Sequence, residues 1–199
     1  MLCGACSEEH IAPLPARCYR CKSATPDSRV CAKCRRTSRL KHVWVCTNYD
    51  QLAKQLIHDF KFTRKQAAAE PIARLMDDTL PFLPPKFVVM YVPTVTSRMR
   101  TRGYDQAKLL AQAVATHRSL RMVSGLARHG QARQVGATRQ QRLTQLDTAF
   151  RVSKPDDIRG ASVLLVDDLV TTGATLEAVA KCLRQAGAGP VSAVVFAQK

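Results

Sequence analysis

Two kinds of hydrophobic pattern follow one another along the chain after residue 50. Leu52, Leu56, Ile57 and Phe60 recur at helical spacing and predict an amphipathic helix. A second helix is predicted over residues 70–80, with a proline near its first turn, where the missing amide hydrogen costs little. The run "PFLPP" that follows should end this helix.

Three later segments rich in consecutive apolar residues predict strands: residues 87–92, 161–168 and 191–197. Helical patterns separate them. One covers residues 105–115 and is capped by Asp105, and another covers residues 175–187 and is stopped by Gly187. Strands that alternate with helices predict an α/β fold, with a parallel sheet and helices on both faces.

Two segments lack a clear period. The basic run "PTVTSRMRTRGY" follows the first predicted strand and is predicted to be a loop. Residues 118–149 are polar and rich in glutamine and arginine. We expect a long loop or hood there, flanked by short strands.

The charge of the chain indicates a polyanionic partner. Lys and Arg number 31 against 15 Asp and Glu, a formal net charge of +16. Residues 17–41 hold nine basic residues against one acid, and residues 86–154 hold thirteen against two. Nucleic acid is the first partner to consider, and phosphorylated metabolites are the second. Aromatic residues make up only 6% of the chain, which limits stacking on bases.

The N-terminus indicates the compartment. "MLCGACSEEH" has neither the basic nor the apolar region of a signal peptide, and we find no apolar stretch long enough to span a bilayer. A cytoplasmic, reducing location is therefore predicted. Clustered cysteines in that setting indicate metal binding more often than disulfides.

The cysteines define a small N-terminal module. "CYRC" and "CAKC" are two C-x-x-C knuckles separated by nine residues, and together they predict a closed, structural zinc site: Cys18, Cys21, Cys31 and Cys34. A third knuckle, Cys3 and Cys6, could instead pair with Cys18 and Cys21, or be half of a second, incomplete ribbon. Cys46 and Cys182 lie in apolar surroundings and are predicted to be core residues. The predicted division is a zinc-ribbon module at residues 1–46 and an α/β domain at residues 47–199.

The stretch "VLLVDDLVTTGAT" at residues 163–175 carries the most specific chemistry. Asp167 and Asp168 are predicted at the carboxyl end of a strand, where ligands bind in open α/β sheets. The small residues that follow expose backbone amides at the start of a helix and form an anion cradle: Thr171, Thr172, Gly173, Ala174 and Thr175. Acids beside a phosphate cradle suit a sugar phosphate, with the carboxylates on the ribose hydroxyls or their Mg²⁺. A side chain at Gly173 is expected to intrude on the phosphate.

This string resembles the phosphoribosyl pyrophosphate (PRPP) motif of type I phosphoribosyltransferases. Together with the knuckles, "LAKQLIHDFKF", "VPTVTSRMRTRGYDQAKLLAQAV" and "QVGATRQQRLTQLDTAF", it resembles the ComF family of competence proteins in the same order over nearly the whole chain. The family places the four cysteines from Cys18 to Cys34 in one ribbon. It commonly has a further knuckle upstream, so Cys3 and Cys6 would lack their partners here.

The resemblance also implies roles for basic residues. Residues 92–102 would form a pyrophosphate-side loop, and we expect its arginines to bind the anion: Arg98, Arg100 and Arg102. Lys61 and residues 134–150 would border the cleft. Within that segment Arg142 matches a basic position, whereas Gln145 stands where the family usually has asparagine.

Two functions follow as hypotheses. The first is an enzyme that binds PRPP with Mg²⁺ and transfers its ribosyl group with loss of pyrophosphate, although no residue stands out as a general base for an acceptor. The second, implied by the ComF resemblance, is a protein that handles incoming single-stranded DNA in natural transformation, together with other DNA-uptake proteins. The two can coexist. The alternative is a phosphoribosyltransferase of nucleotide salvage with no role on DNA.

Overall fold

A parallel sheet forms the centre of the molecule. The computed structural model describes residues 14–62, 66–129 and 148–199. Five parallel strands lie in the order β1-β7-β6-β2-β3. Their bounds are β1 Leu40–Asn48, β2 Phe87–Tyr91, β3 Arg121–Met122, β6 Ser162–Val170 and β7 Val191–Gln198. A separate antiparallel pair joins β4 Leu126–Arg128 to β5 Phe150–Val152. The predicted α/β parallel fold is confirmed. Of the short strands near the polar segment, β3 and β4 lie within residues 118–149, and β5 follows directly after them.

Helices cover both faces of this sheet, as the alternating pattern predicts. The α-helices of the described residues are α1 Ala32–Arg35, α2 Gln51–Phe62, α3 Ala69–Thr79, α4 Thr96–Arg102, α5 Gln106–His117 and α6 Ala174–Gln185. Those that cover the sheet are α2, α3 and α5 on one face and α6 on the other. The side chain of Asp105 caps α5 by accepting the amides of Ala107 and Lys108. Gly187 follows the end of α6 with a φ of +92°, a conformation that glycine adopts freely. In the part of the chain that the structure describes, no helix is long and apolar enough to cross a membrane.

Two hydrophobic cores lie on opposite faces of the sheet because successive strand residues point to opposite sides. On one face, helices α2, α3 and α5 pack around residues such as Trp44, Leu164 and Phe196. On the other face, α6 packs against alternate residues of the same strands, among them Val163 and Val195. Cys46 is 3% exposed in the first core, as predicted, while Cys182 is only half-buried at the edge of the second.

The cysteine-bearing segment, residues 14–39, packs onto the second core. Cys18, Tyr19 and Val30 are almost fully buried in the same cluster as the strand residues beneath α6. Strand β1 continues from this segment into the sheet, where it pairs with β7 from Leu40 to Asn48. The proposed boundary between residues 46 and 47 therefore falls inside β1, a strand that the sequence pattern did not indicate.

The structure replaces one predicted loop with a helix. Residues 96–102 form α4, and Gly103 ends it with a φ of +83° while its amide donates to the carbonyl of Met99. The segment has no apolar period because most of its side chains are exposed, so hydrophobic spacing gives no signal for it.

Candidate functional site

The acidic pair lies where the sheet opens. The ladder between β2 and β6 ends at Tyr91 and Val166, whereas β6 remains paired with β7 as far as Val170. Asp167 and Asp168 therefore sit within β6 rather than at its end, just beyond the last residue of the neighbouring strand. This stagger leaves one side of the acids facing a cleft instead of another strand.

A lysine from α2 reaches the second acid. The Nζ atom of Lys61 lies 2.6 Å from Oδ2 of Asp168, and their side chains are 19% and 11% exposed. Lys61 is in the last turn of α2, 107 positions before Asp168 in the sequence. The fold thus brings together two residues that the sequence connects only through the family resemblance, and it compensates one of the two carboxylates.

The first acid, Asp167, forms no ion pair with a lysine or arginine among the described residues. Enclosure by the protein, reinforced by the charge of Asp168, raises the pKa of Asp167 to about 8. Its Oδ1 accepts the backbone amide of Asp168 at 2.9 Å, and Lys61 opposes the rise, but neither offsets the loss of water. A ligand hydroxyl or a cation beside Asp167 would favour the ionised form, so the site is prepared for a partner.

Helix α4 forms the basic wall of the cleft. Arg98 and Arg102 are four residues apart on one face of this helix, and both line the cleft. Arg100 projects from a different face, is exposed, and does not line it. The guanidinium of Arg102 also lies 5.0 Å from the ring centre of Phe62 at the end of α2, a stacking contact at the rim.

The cleft has a volume of about 220 Å³ and gathers charges from four parts of the chain. Its charged lining residues are Lys61, Arg98, Arg102, Arg128, Asp167 and Asp168. Among the described residues, four cations thus face two carboxylates, and this excess of positive charge suits a multiply charged anion.

Sequence reasoning missed two polar residues of this lining, Arg128 and Gln106. Arg128 enters from β4, its guanidinium 5.4 Å from the ring centre of Phe150 on the paired strand β5. Burial lowers its pKa, as does the nearby charge of Arg98. Gln106 is 2% exposed in the first turn of α5, and its side-chain Nε2 is buried without a partner among the described residues. No local motif covers Arg128, and the quoted segment that contains Gln106 gave no role to that residue; strand pairing and helix packing bring the two to the cleft.

The loop after the acids leads into α6. Thr175, in the first turn of that helix, lines the cleft, whereas Thr171 and Thr172 are exposed beside it. The hydroxyl of Thr172 accepts the amide of Ala174 at 3.4 Å. The first amides of a helix have no partner within it, so they are available to an anion.

The lack of a side chain at Gly173 makes room for the ring of Tyr19. It precedes α6 with a φ of +77°, and a Cβ added to it would overlap Cε2 of Tyr19 and lie 3.3 Å from Cδ2 and Cζ. The space that glycine leaves is filled by an aromatic ring from the cysteine-bearing segment. A side chain here would therefore collide with Tyr19.

Several predicted residues fall outside the described part of the chain. Arg142 lies there, with most of the segment 134–150 that the family resemblance assigns to the cleft border. Cys3 and Cys6 lie there as well. Their assignments stay predictions.

The four remaining cysteines of the two knuckles come together as the spacing indicates. The Sγ atoms of Cys18, Cys21, Cys31 and Cys34 all lie within 4.8 Å of one another. The Sγ atoms of Cys21 and Cys31 are 3.6 Å apart. Tetrahedral zinc with sulfur at about 2.3 Å holds its ligands about 3.8 Å apart. The cluster thus has the size and the donor set to hold a metal ion.

The thiols also have the electrostatics of a metal site. Hydrogen bonds from Ser23, whose Oγ is 3.1 Å from the sulfur, lower the pKa of Cys21 to about 6. Burial and hydrogen bonds with the neighbouring thiols raise the pKa of Cys34 to about 12. Four thiolates this close repel one another, and a bound cation would remove that obstacle to full deprotonation.

Comparison with known proteins gives the relatives of this chain. A family model described as the phosphoribosyl transferase domain matches residues 101–199. The DNA utilization protein YhgH of Salmonella typhi is 30% identical over 153 residues, which cover 73% of this chain and 66% of that protein. The matched region is thus slightly less than two thirds of that relative. Competence protein ComFC of Bacillus subtilis is 28% identical over 186 residues, which cover 89% of this chain and 73% of that protein.

Among solved structures, glutamine phosphoribosylpyrophosphate amidotransferase from B. subtilis matches with a TM-score of 0.46 and 16% identity. The match covers 65% of this chain and 26% of the amidotransferase. The region matched by the family model, residues 101–199, contains β6, the acidic pair and the loop of residues 171–175. The chain therefore belongs to the ComF family and has a type I phosphoribosyltransferase-like fold.

Proposed function

We propose that this protein binds PRPP with Mg²⁺ in the cleft beside β6 and acts on incoming single-stranded DNA in the cytoplasm during natural transformation. The observation that carries the first part is the composition of the cleft. An acid with a raised pKa, an acid paired to lysine and an arginine-rich helix all face one space next to a helix N-terminus. A ribose bearing phosphates at both ends presents matching groups in one molecule.

Each part of that ligand has its own partners. Asp167 and Asp168 would hold the ribose hydroxyls or their Mg²⁺, which supplies positive charge to the pyrophosphate. The loop of residues 171–175 would take the 5′-phosphate on its amides. Lys61, Arg98 and Arg102 would take the pyrophosphate. Arg128 lies in the same cleft and adds a fourth cation.

If the protein is an enzyme, its residues act mainly by positioning and by charge. The anomeric carbon to oxygen bond of PRPP would break as the pyrophosphate leaves, and a nucleophile would form a new bond to that carbon. Arginines placed where negative charge develops stabilise the departing pyrophosphate. Lys61 can release Asp168 to the ribose by turning toward the anion, because a flexible chain links its ammonium to α2.

The DNA-related part rests on charge and on relatives. One relative is named a DNA utilization protein and another a competence protein. The cysteine-bearing segment of this chain exposes Arg35, Arg36 and Arg39 close to one another in sequence. Such a surface attracts the phosphate backbone without reading its sequence.

We further propose that the cysteine cluster holds one structural Zn²⁺. Four thiols of the required separation close the coordination sphere, and such sites stabilise folding rather than activate water.

Titrating PRPP and single-stranded DNA separately, each with and without Mg²⁺, tests the two parts. We expect PRPP binding that needs Mg²⁺, and DNA binding that does not. PRPP binding without DNA binding would favour the salvage alternative. Absence of PRPP binding under both conditions would overturn the proposal for the cleft.

The DNA interaction has a sharper test in its salt dependence. Replacing Arg35, Arg36 and Arg39 by glutamine should lower the slope of log affinity against log salt by about 2. The matched control replaces three exposed lysines elsewhere: Lys54, Lys86 and Lys108. Equal slopes for both triple variants would mean that the cysteine-bearing segment does not bind DNA.

A further inference from the structure

In the sequence, Tyr19 lies between two candidate metal ligands, Cys18 and Cys21. In the fold, its ring packs against the start of α6. Tyr19 follows Cys18 in the first knuckle and is 3% exposed. Its ring occupies the space where Gly173 lacks a side chain. We call residues 171–175 the phosphate loop. A residue of the cysteine-bearing segment, Tyr19, therefore packs against this loop at Gly173.

Hydrogen bonds hold Tyr19 in place at its side-chain hydroxyl and at its backbone carbonyl. The Tyr19 hydroxyl donates to Oε1 of Glu177 in the first turn of α6, at 2.5 Å. The other oxygen, Oε2, accepts the backbone amide of Arg39 at 2.8 Å. At the opposite end, Nε2 of Gln198 in β7 donates to the Tyr19 carbonyl at 2.6 Å. The ring is thus held between α6, β7 and the segment that leads into β1.

This arrangement makes the loop conformation depend on the cysteine-bearing segment. Glycine adopts both negative and positive φ, so the φ of +77° at Gly173 has to be selected by the packing around it. Tyr19 packs on that residue, and Glu177 ties the first turn of α6 to Tyr19 and to Arg39. A loop that must present its amides to a phosphate gains from having a single conformation before the ligand arrives.

We propose that Tyr19 is a positioning residue for the phosphate loop, so that the cysteine-bearing segment sets the geometry with which the loop binds a ligand phosphate. The proposal rests on the proposed function for the identity of the ligand. The packing of Tyr19 on Gly173 does not depend on that ligand and can be tested alone.

The ligand-independent test is amide hydrogen exchange in the protein without ligand. Tyr19→Ala should accelerate exchange over residues 172–177 about tenfold relative to the wild type, because the ring and its hydrogen bond are both lost. Val30→Ala is the control, since Val30 is 1% exposed in the same segment and core. Unchanged exchange at residues 172–177 in Tyr19→Ala, or equal acceleration in both variants, would overturn the proposal.

The binding test uses two probes, ribose 5-phosphate and inorganic pyrophosphate. Tyr19→Ala should weaken ribose 5-phosphate binding about tenfold and leave pyrophosphate binding on the arginine side within about twofold. Tyr19→Phe keeps the ring and should recover most of the lost affinity. A general loss of structure would weaken both probes alike, which would count against a positioning role.

A double-mutant cycle ties the effect to the contact itself. Gly173→Ala should impair ribose 5-phosphate binding in the wild type because its Cβ collides with Tyr19. In the Tyr19→Ala background the added cost should be smaller, since only the positive φ remains to oppose alanine. Additive effects would overturn the proposal. If the wild type binds no ribose 5-phosphate while exchange responds as expected, the proposed ligand is wrong but the positioning of the loop stands.

Discussion

At the scale of single residues, the fold holds Asp167 in its neutral form around neutral pH. Enclosure by the protein and the charge of Asp168 raise the pKa of Asp167 to about 8. In the unfolded chain the same group would titrate near its ordinary value, about 4. Between these two pH values the folded state binds a proton that the unfolded state has released. The free energy of unfolding contributed by this group therefore falls as pH rises from about 4 to about 8 and stays constant above.

Asp167→Asn should remove that dependence. Between pH 5 and pH 8 the variant should lose less stability than the wild type, by at least about 1 kcal/mol, because no carboxyl is left to ionise in the unfolded state. Urea unfolding at several pH values measures this. Asp156→Asn, an exposed acid whose side chain is 85% accessible, should follow the wild type. Parallel curves for Asp167→Asn and wild type would show that the pKa of Asp167 is not raised.

Site residues that belong to one local sequence motif could be identified from the sequence. Site residues that strand pairing or packing brings to the cleft could not. Asp167, Asp168 and Thr175 belong to one string, and the structure places them in one cleft. Arg128 reaches that cleft through the pairing of β4 with β5, across a separation that leaves no local pattern. The contact of Tyr19 could not be predicted from the sequence either, since its partner Gly173 is far away in the chain.

At the scale of elements, α4 separates its arginines by face. Spacing of four places Arg98 and Arg102 together toward the cleft and leaves Arg100 outside. In a loop, which the sequence predicts, the three would have been equivalent. The apolar helices and buried strands were predictable because burial imposes a period on them. The exposed helix α4 and the strand β1 were not, since one carries no apolar period and the other follows the irregular cysteine-bearing segment.

Because the arginines of α4 lie on different faces of the helix, their substitution should affect pyrophosphate binding to different extents. Arg98→Ala and Arg102→Ala should each weaken pyrophosphate binding about tenfold, because each removes a charge-assisted hydrogen-bond donor from the cleft. Arg100→Ala, which makes the same change in charge, should alter affinity less than about twofold. Calorimetry with pyrophosphate measures all three. An equal loss for Arg100→Ala would mean that the helix acts only through its net charge.

At the scale of the whole molecule, the cysteine cluster and the sheet share one core. Cys18 and Val30 are buried among strand residues such as Val43 and Val163. A metal ion in the cluster would therefore stabilise the sheet as well as the segment that carries the ligands. The sequence predicted the cluster from its knuckle spacing, but the shared core follows from long-range packing that spacing does not encode.

Metal removal should be detectable far from the cysteines. We expect about one Zn²⁺ per chain by metal analysis. Chelation should lower the thermal midpoint reported by Trp44, the single tryptophan, by about 5 °C or more. Trp44 lies in β1 on the face opposite the cysteine cluster, so its signal reports on the sheet. The account would be contradicted if the protein contained no metal and still unfolded at the midpoint of the untreated protein. It would also be contradicted if chelation left the thermal midpoint unchanged.

The most direct test of the central claim compares two acidic pairs by calorimetry with PRPP and Mg²⁺. Asp167→Asn combined with Asp168→Asn should abolish PRPP binding while the protein stays folded, because the carboxylates that hold the ribose are gone. Asp156→Asn combined with Asp157→Asn makes the same two substitutions in the exposed turn before β6 and should leave PRPP affinity within about twofold. Unchanged PRPP affinity in the first variant, or equal loss in both, would contradict the assignment of this cleft to a phosphoribosyl ligand.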